Sequence, residues 1–203
     1  FTGEAIDNNE IIQIELAEPL DLDPRLGAAA IEAGGAGEGG GGSGEDIIVG
    51  DAAGNTLAGG EGNQTIRGEG GDDILRGDAN NRSPQGKSGG DDIIFGGDGN
   101  DRSGGKGGND TLLGEMGDDR IWGDDGDDLI RGGVGNDILT GDDASGGSGS
   151  DTFIFAAGEG ADIITDFEVG TDFIGLAGGL SFGSVSITAQ GSDTILSAGA
   201  ETL

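Results

Sequence analysis

Residues 123–143 read GDDGDDLIRGGVGNDILTGDD. Two apolar residues, Leu129 with Ile130 and then Ile138 with Leu139, follow each cluster of glycine and carboxylate, and the pattern recurs after nine residues. The same period extends outward over 41–154. In nines the chain reads GGSGEDIIV, GDAAGNTLA, GGEGNQTIR and GEGGDDILR, then a poor unit, GDANNRSPQ, with Gly86 left over. KSGGDDIIF, GGDGNDRSG, GKGGNDTLL, GEMGDDRIW, GDDGDDLIR and GGVGNDILT follow, and a five-residue insert, GDDAS, precedes GGSGSDTFI. A fixed short period is the mark of a repeat architecture.

Two positions carry the logic of the twelve units. The sixth is Asp in nine of them: Asp46, Asp73, Asp92, Asp101, Asp110, Asp119, Asp128, Asp137 and Asp151. The eighth is a large apolar residue in ten: Ile48, Leu57, Ile66, Leu75, Ile94, Leu112, Ile121, Ile130, Leu139 and Phe153. Three residues centred on the eighth position form one short strand, its middle side chain facing opposite to its neighbours. The other six, rich in glycine able to take positive φ, reverse the chain. Two reversals close a coil, so a coil takes two repeats, and stacked coils make two parallel sheets around the position-eight side chains. The expected fold is all-β.

Composition asks what holds such coils together. The chain has 203 residues with 49 Gly, 40 Asp plus Glu against 9 Lys plus Arg, and a formal net charge of -31. Self-repulsion of that size opposes compaction unless cations neutralise it. Ordering a glycine-rich nonapeptide also costs more backbone entropy than one buried Ile or Leu returns. A hard cation meets both demands, because Ca²⁺ takes six to eight oxygen ligands from carboxylates and from carbonyls that glycine lets approach, whereas Mg²⁺ prefers a small octahedron with retained water. The candidate ligands are the nine sixth-position aspartates with the loop carbonyls of Gly71, Gly90, Gly97, Gly99, Gly108, Gly117, Gly126, Gly133, Gly135, Gly147 and Gly149. A disordered acidic linker is the competing reading, but disorder does not require an apolar residue two places after each Asp.

The repeats resemble the GGxGxDxUx nonapeptide of calcium-binding RTX proteins, whose fold is a parallel β-roll. Beyond them, GGSGSDTFIF followed by GADIITDFEVGTDFIGL resembles the last repeat and cap at the C-terminal end of RTX proteins secreted by bacterial type I systems. The resemblance implies a domain unfolded in the low-calcium cytosol that folds on meeting extracellular calcium, with several Ca²⁺ ions as cofactor and partner.

Split by parity, the sixth positions give an even ladder, Asn55, Asp73, Asp92, Asp110, Asp128 and Asp151, and an odd one, Asp46, Gln64, Arg82, Asp101, Asp119 and Asp137. The expectation is a continuous calcium row on the even side and a shorter odd one starting near Asp101, with Gln64 and Arg82 outside it. Pro84 and Ser103 break the apolar position on the odd side and would be spatial neighbours. The outward stripe on the even side, with Ile74, Ile93, Phe95, Leu113, Leu129 and Ile154, is apolar enough to mark a contact. The odd side, with Arg67, Arg102, Arg120 and Trp122, is wetter and could face a polysaccharide.

The flanks divide the chain into 1–40, the roll at 41–154, and a C-terminal β cap at 155–203. EIIQIELAEPLDLD reads as two short strands around Pro19, and LGAAAIEAGGAGEGGGG as a small-residue helical turn leading into a flexible linker. ADIITDFEVGTDFIGL and SVSITAQGSDTILSA read as cap strands, the second folding into a hairpin around Gln190 to Asp193, with Ile163, Phe167, Phe173, Val185, Ile187 and Ile195 closing the apolar end. The first residue is Phe1, which suggests a processed chain or a segment of something longer. No distinct C-terminal secretion signal is asserted from GAETL.

Function classes narrow accordingly. No Cys and no His means no disulfide, no thiolate zinc site and no His-based triad. Few cations argue against nucleic acid, whose phosphates demand clustered Lys and Arg, and no apolar run reaches the length of a membrane span. The expectation is a non-catalytic calcium-dependent folding module, secreted or at the cell surface. Two alternatives stand beside it: a subunit of an extracellular fibre, surface layer or adhesin assembled through the apolar face, and the C-terminal module of a secreted enzyme with its catalytic domain upstream.

Overall fold

The computed structural model describes residues 30–32, 46–60, 62–78, 89–142, 147–191, 193–198 and 201–202. Its strands in chain order are β1 (Ala30–Glu32), β2 (Ile47–Val49), β3 (Thr56–Ala58), β4 (Thr65–Gly70), β5 (Ile74–Arg76), β6 (Ile93–Asp98), β7 (Arg102–Gly107), β8 (Thr111–Met116), β9 (Arg120–Asp125), β10 (Leu129–Val134), β11 (Ile138–Thr140), β12 (Thr152–Phe155), β13 (Ile163–Ile164), β14 (Phe173–Leu176), β15 (Val185–Gln190), β16 (Asp193–Ala198) and β17 (Glu201–Thr202). They form a parallel eight-stranded sheet, β1-β2-β4-β6-β8-β10-β12-β14, a parallel six-stranded sheet, β13-β11-β9-β7-β5-β3, and a small antiparallel sheet, β15-β16-β17; the roll is made by the first two. The chain alternates between the two, so the fold is a parallel β-roll.

Register fixes the coil at two repeats, since Leu112 pairs with Ile130 on one sheet and Ile121 with Leu139 on the other. The ten apolar position-eight side chains from Ile48 to Phe153 are at most 1% exposed and form one continuous core. Ser103 takes the eleventh place, buried beside Leu75 and Ile121 in register, with no hydrogen-bond partner for its hydroxyl. Most inner strands are longer than the three expected residues, because positions one to three of the next unit stay in the ladder before the turn.

The parity expected beyond residue 77 is overturned. Ile66 pairs with Ile94, and Leu75 with Ser103, 28 residues on rather than 18. GDANNRSPQ therefore makes no rung of its own. Gly77 and Asp78 join 89–95 to spell GDGGDDIIF, a regular unit interrupted after its second position by the ten residues 79–88, which lie outside the described residues together with Arg82 and Pro84. Ser103 accordingly has Leu75 for its neighbour. The second insert obeys the same rule: Gly141 and Asp142 take the first two places of the last unit, and the inserted residues are 143–147, not 141–145.

Both interruptions fall at the same point of the repeat and on the same edge of the roll. An insertion there lengthens a loop without shifting either sheet, and loop length adds little free energy. Deleting 79–88 is expected to leave the β circular dichroism of the folded chain intact and its calcium midpoint within about twofold. Loss of folding in that variant would contradict the register given above.

At the ends, 30–32 forms β1 rather than a helical turn and pairs with β2, whose edge would otherwise present unpaired backbone groups. The strands read in 10–23 lie outside the described residues. The hairpin around Gln190 to Asp193 is present, with Gln190 opposite Asp193, and β17 extends it. Its closing side chains differ from expectation. Ile164, Ile174, Leu180, Val185, Leu196 and Ala198 pack on the core, whereas Ile163 and Ile187 are exposed. Ile163 and Phe173 occupy the outward seventh place and yield the core to the residues that follow them. Phe167 is exposed as well, although its ring lies 6.2 Å from that of Phe153.

Candidate metal centre

The sixth-position aspartates stand in two unbroken ladders, one along each edge of the roll. Each carboxylate reaches back to the preceding coil, where Oδ1 accepts the N–H of its counterpart. On one edge Asp73 donates to Asp101 at 2.8 Å, Asp101 to Asp119 at 2.8 Å, and Asp119 to Asp137 at 2.8 Å. On the other, Gln64 donates to Asp92 at 2.7 Å, Asp92 to Asp110 at 2.8 Å, Asp110 to Asp128 at 2.8 Å, and Asp128 to Asp151 at 3.0 Å. Asn55 starts the first ladder by donating to Asp73. The broken odd row foreseen from the sequence is absent because 79–88 take no rung. Asp46 precedes Gln64 at the start of the second edge, its following strand paired with β4.

The second carboxylate oxygen is the unusual atom. Among the described residues, Oδ2 of Asp73, Asp92, Asp101, Asp110, Asp119, Asp128, Asp137 and Asp151 is buried and has no hydrogen-bond partner. Such an orphan is costly in a low-dielectric site. It faces the α-carbon of the first glycine of its own unit, and for Asp73, Asp92, Asp101, Asp110, Asp119 and Asp128 the first-position carbonyl of the next coil converges on the same place: Asp101 Oδ2 with the Gly114 carbonyl over Gly96, Asp119 Oδ2 with that of Gly132 over Gly114, Asp128 Oδ2 with that of Gly141 over Gly123. A Cβ on any of these glycines would occupy the oxygen-lined space.

Loop glycines line the same edges. Gly71, Gly97, Gly99, Gly108, Gly117, Gly126 and Gly133 have positive φ. Gly90, Gly135 and Gly149 hold the fourth place without it, each against a carbonyl of the previous coil, from Gly62, Gly117 and Gly126. Gly147 lies in the second insert, and Asp142 holds the second place there. Alanine at Gly117 would need φ near +132° and would overlap the Gly99 carbonyl, so Gly117→Ala is expected to destabilise the folded roll by about 2 to 4 kcal/mol. Glu115 already sits at φ +77°, and Glu115→Gly is expected to be tolerated. Calcium-induced circular dichroism of the two variants checks the contrast.

Fifth-position side chains form an exposed ladder of opposite sense. Asp91 Oδ1 accepts from Asn109 at 2.7 Å, Asn109 from Asp127 at 2.9 Å, and Asp118 from Asn136 at 2.9 Å. These residues tie coils together.

Burial, opposed by the backbone N–H and reinforced by neighbouring carboxylates, pushes Asp110 and Asp128 up to about 8 and Asp92, Asp119 and Asp151 to about 7. Asp101 rises to about 6. At neutral pH Asp110 and Asp128 are then mainly protonated and Asp92, Asp119 and Asp151 only partly ionised, and a positive charge beside them would favour the ionised form. Among the described residues no three carboxylates converge as a metal cluster, so a cation's shell would draw on main-chain carbonyls. Buried orphan carboxylate oxygens, converging carbonyls and an all-oxygen donor set fit Ca²⁺.

Three parts of the site escaped sequence reading. The first-position glycines supply converging carbonyls, and their signal was a Gly in that place in nearly every unit. Asp162 and Asp172 end the two ladders, accepting the N–H of Asp137 at 3.0 Å and of Asp151 at 3.1 Å. Their signal was the same spacing, with Ile164 and Ile174 two places on. Residues 157–165, AGEGADIIT, thus form one more coil segment, with Gly158 and Gly160 at positive φ like their counterparts. The two ends differ. Asp172 Oδ2 also accepts the Glu168 N–H at 2.7 Å, which closes that ladder.

The RTX calcium-binding nonapeptide repeat family matches this chain in four copies, over residues 40–75, 49–83, 88–112 and 104–139. The gap between 83 and 88 falls within the insertion. A crystal structure of the extracellular lipase LipA from Serratia marcescens is similar at 21% identity and a TM-score of 0.34, over 79% of this chain and 37% of the lipase chain. This chain therefore corresponds to little more than a third of that one's length. No curated protein matches it.

Proposed function

We propose that this chain, which carries RTX calcium-binding nonapeptide repeats, is a calcium-dependent folding and binding module of a secreted bacterial protein and performs no catalysis of its own. The observation that carries this reading is the pair of ladders with eight buried, unpartnered Oδ2 atoms. Bound calcium supplies the positive charge that lets those carboxylates ionise and joins one coil to the next. On one edge Asp73, Asp101, Asp119 and Asp137 would hold the ions. On the other the holders would be Asp92, Asp110, Asp128 and Asp151, with first- and fourth-position carbonyls completing both sets. Export by a type I system follows from the family resemblance: a chain that cannot fold without calcium stays threadable until it reaches the outside. Calorimetric titration at neutral pH tests the reading, with several calcium ions expected per chain and magnesium at equal concentration failing to replace them. Absence of calcium binding would end it.

The outer face of the eight-stranded sheet supports assembly as a second reading. Ile47, Val49, Ile93, Phe95, Leu113 and Leu129 are only half-buried there, with the Arg67 guanidinium stacked 4.4 Å above the Phe95 ring. This corrects the expected stripe, in which Ile74 was counted; Ile74 lies on the opposite sheet. Particle size that grows with calcium in light scattering would favour assembly, and a monomer at every calcium concentration would exclude it.

A further inference from the structure

The outer face of the six-stranded sheet gathers much of the chain's scarce positive charge. Of nine Lys and Arg in the sequence, Arg76, Arg102, Lys106 and Arg120 belong to β5, β7 and β9, three consecutive strands. Arg102 is directly beside Arg120 in register. In the neighbouring row Arg76, Gly104 and Trp122 succeed one another. Arg102 and Arg120 are exposed, and Arg76 and Trp122 are half-buried. Lys106 is neutralised by Asp124, Nζ to Oδ2 at 2.8 Å. Among the described residues the three arginines make no ion pair.

That arrangement is unfavourable for the free chain. Like charges directly opposite one another on adjacent strands repel, and a sequence with 40 Asp and Glu has no shortage of partners to place beside them. Thr or Ile, which fill the same outward places at Thr56, Ile74 and Ile138, would be better sheet formers there. A row of unpaired guanidinium groups beside a Trp instead suits an anion with an apolar face.

We infer that this face binds an anionic polysaccharide with carboxylates on its sugars. The Arg102 and Arg120 forks receive carboxylates bidentately, and the Trp122 indole lies against the C–H face of a sugar ring. The ligand is a polymer because the cations are strung along the roll axis. Strands repeat every 4.8 Å or so, and a single carboxylate cannot reach from the Arg76 rung to the Arg120 rung. Calcium controls the face in two ways. The rungs exist only in the folded roll, and the carboxylate ladders on both edges repel a polyanion until they are neutralised. This dependence rests on the calcium reading above.

Titration of the whole calcium-loaded chain with short oligogalacturonates, too short to gel, tests the inference against neutral dextran and poly-L-glutamate. Binding is expected for the oligogalacturonate, not for dextran, and should weaken with added salt. Arg102→Gln with Arg120→Gln, both on the surface, is expected to weaken it about tenfold or more, with unchanged calcium-induced circular dichroism. Replacing both by Lys should give an intermediate affinity, since the charge stays and the fork is lost. Undiminished binding by the Gln pair would assign retention to calcium bridging and overturn the inference. Poly-L-glutamate binding as tightly as the sugar would overturn the polysaccharide assignment. A parent that folds with calcium yet ignores the oligogalacturonate defeats this inference alone, whereas a parent that binds no calcium defeats the earlier reading.

Discussion

Asp119→Ala is expected to raise the calcium midpoint of folding at least tenfold and to remove about 3 kcal/mol or more from the folded state. Two losses combine in it. Asp119 Oδ1 accepts the Asp101 N–H at 2.8 Å, and truncation leaves that buried donor unsatisfied. Its Oδ2 is one of the buried orphans, so a proposed cation ligand goes as well. Asp119→Asn separates the two contributions, because an amide oxygen can take over the N–H but not the charge. The Asn variant should fold nearly as well as the parent in calcium-free buffer at acid pH, yet respond to calcium as poorly as the Ala variant. Equal calcium midpoints for the parent and both variants, by tryptophan fluorescence of Trp122, would remove Asp119 from the site.

Acid should partly replace calcium. In the metal-free roll the ladder carboxylates have pKa values raised by burial, to about 8 at Asp110 and Asp128 and about 7 at Asp92, Asp119 and Asp151. In the unfolded chain the same groups titrate near the ordinary carboxylate value of about 3.9. A folded-state pKa raised above the unfolded one gives stability that is fully present below the unfolded value and is lost as pH rises through the folded one. Without calcium the roll is therefore expected to gain β structure as pH falls from about 8 toward about 4, and to lose it over the same window as pH rises again. With calcium the dependence reverses, because binding must displace those protons, so the calcium midpoint should rise as pH falls. Circular dichroism at several pH values with and without calcium checks both signs. A metal-free chain equally unfolded at pH 5 and pH 8 would contradict the burial of the ladders.

The sequence made the coil legible because two demands with one period coincide. An apolar residue every nine places fills the interior, and an Asp two places earlier turns into the loop, so Ile130 and Asp128 are forced into their places by spacing alone. Counting along the chain failed where the period was interrupted. At 79–88 and 143–147 the first two residues of a unit are separated from the rest, and a reading in consecutive nines assigned Gly77 and Asp78 to a defective repeat. The strand pairings and the hydrogen bonds from Gln64 to Asp92 and from Asp73 to Asp101 across the insertion restore the order. That slip exchanged the two ladders beyond residue 77, so a broken row was expected where both rows run through. The cap was misread by one place for a related reason. In ADIIT and TDFIG the seventh and eighth residues are both large and apolar, and the ladder through Asp162 and Asp172 decides that Ile164 and Ile174 face inward. The carbonyl half of the site has no side-chain signature except the glycine that admits it.

The central claim is that calcium supplies what the core cannot. Titrating the chain from calcium-free buffer to about 10 mM calcium at neutral pH, followed by far-ultraviolet circular dichroism, tests it most directly. A cooperative gain of β signal with a midpoint near 10⁻⁴ to 10⁻³ M is the expected result. A spectrum that is already β-rich without calcium, or that stays unchanged across the titration, would contradict it.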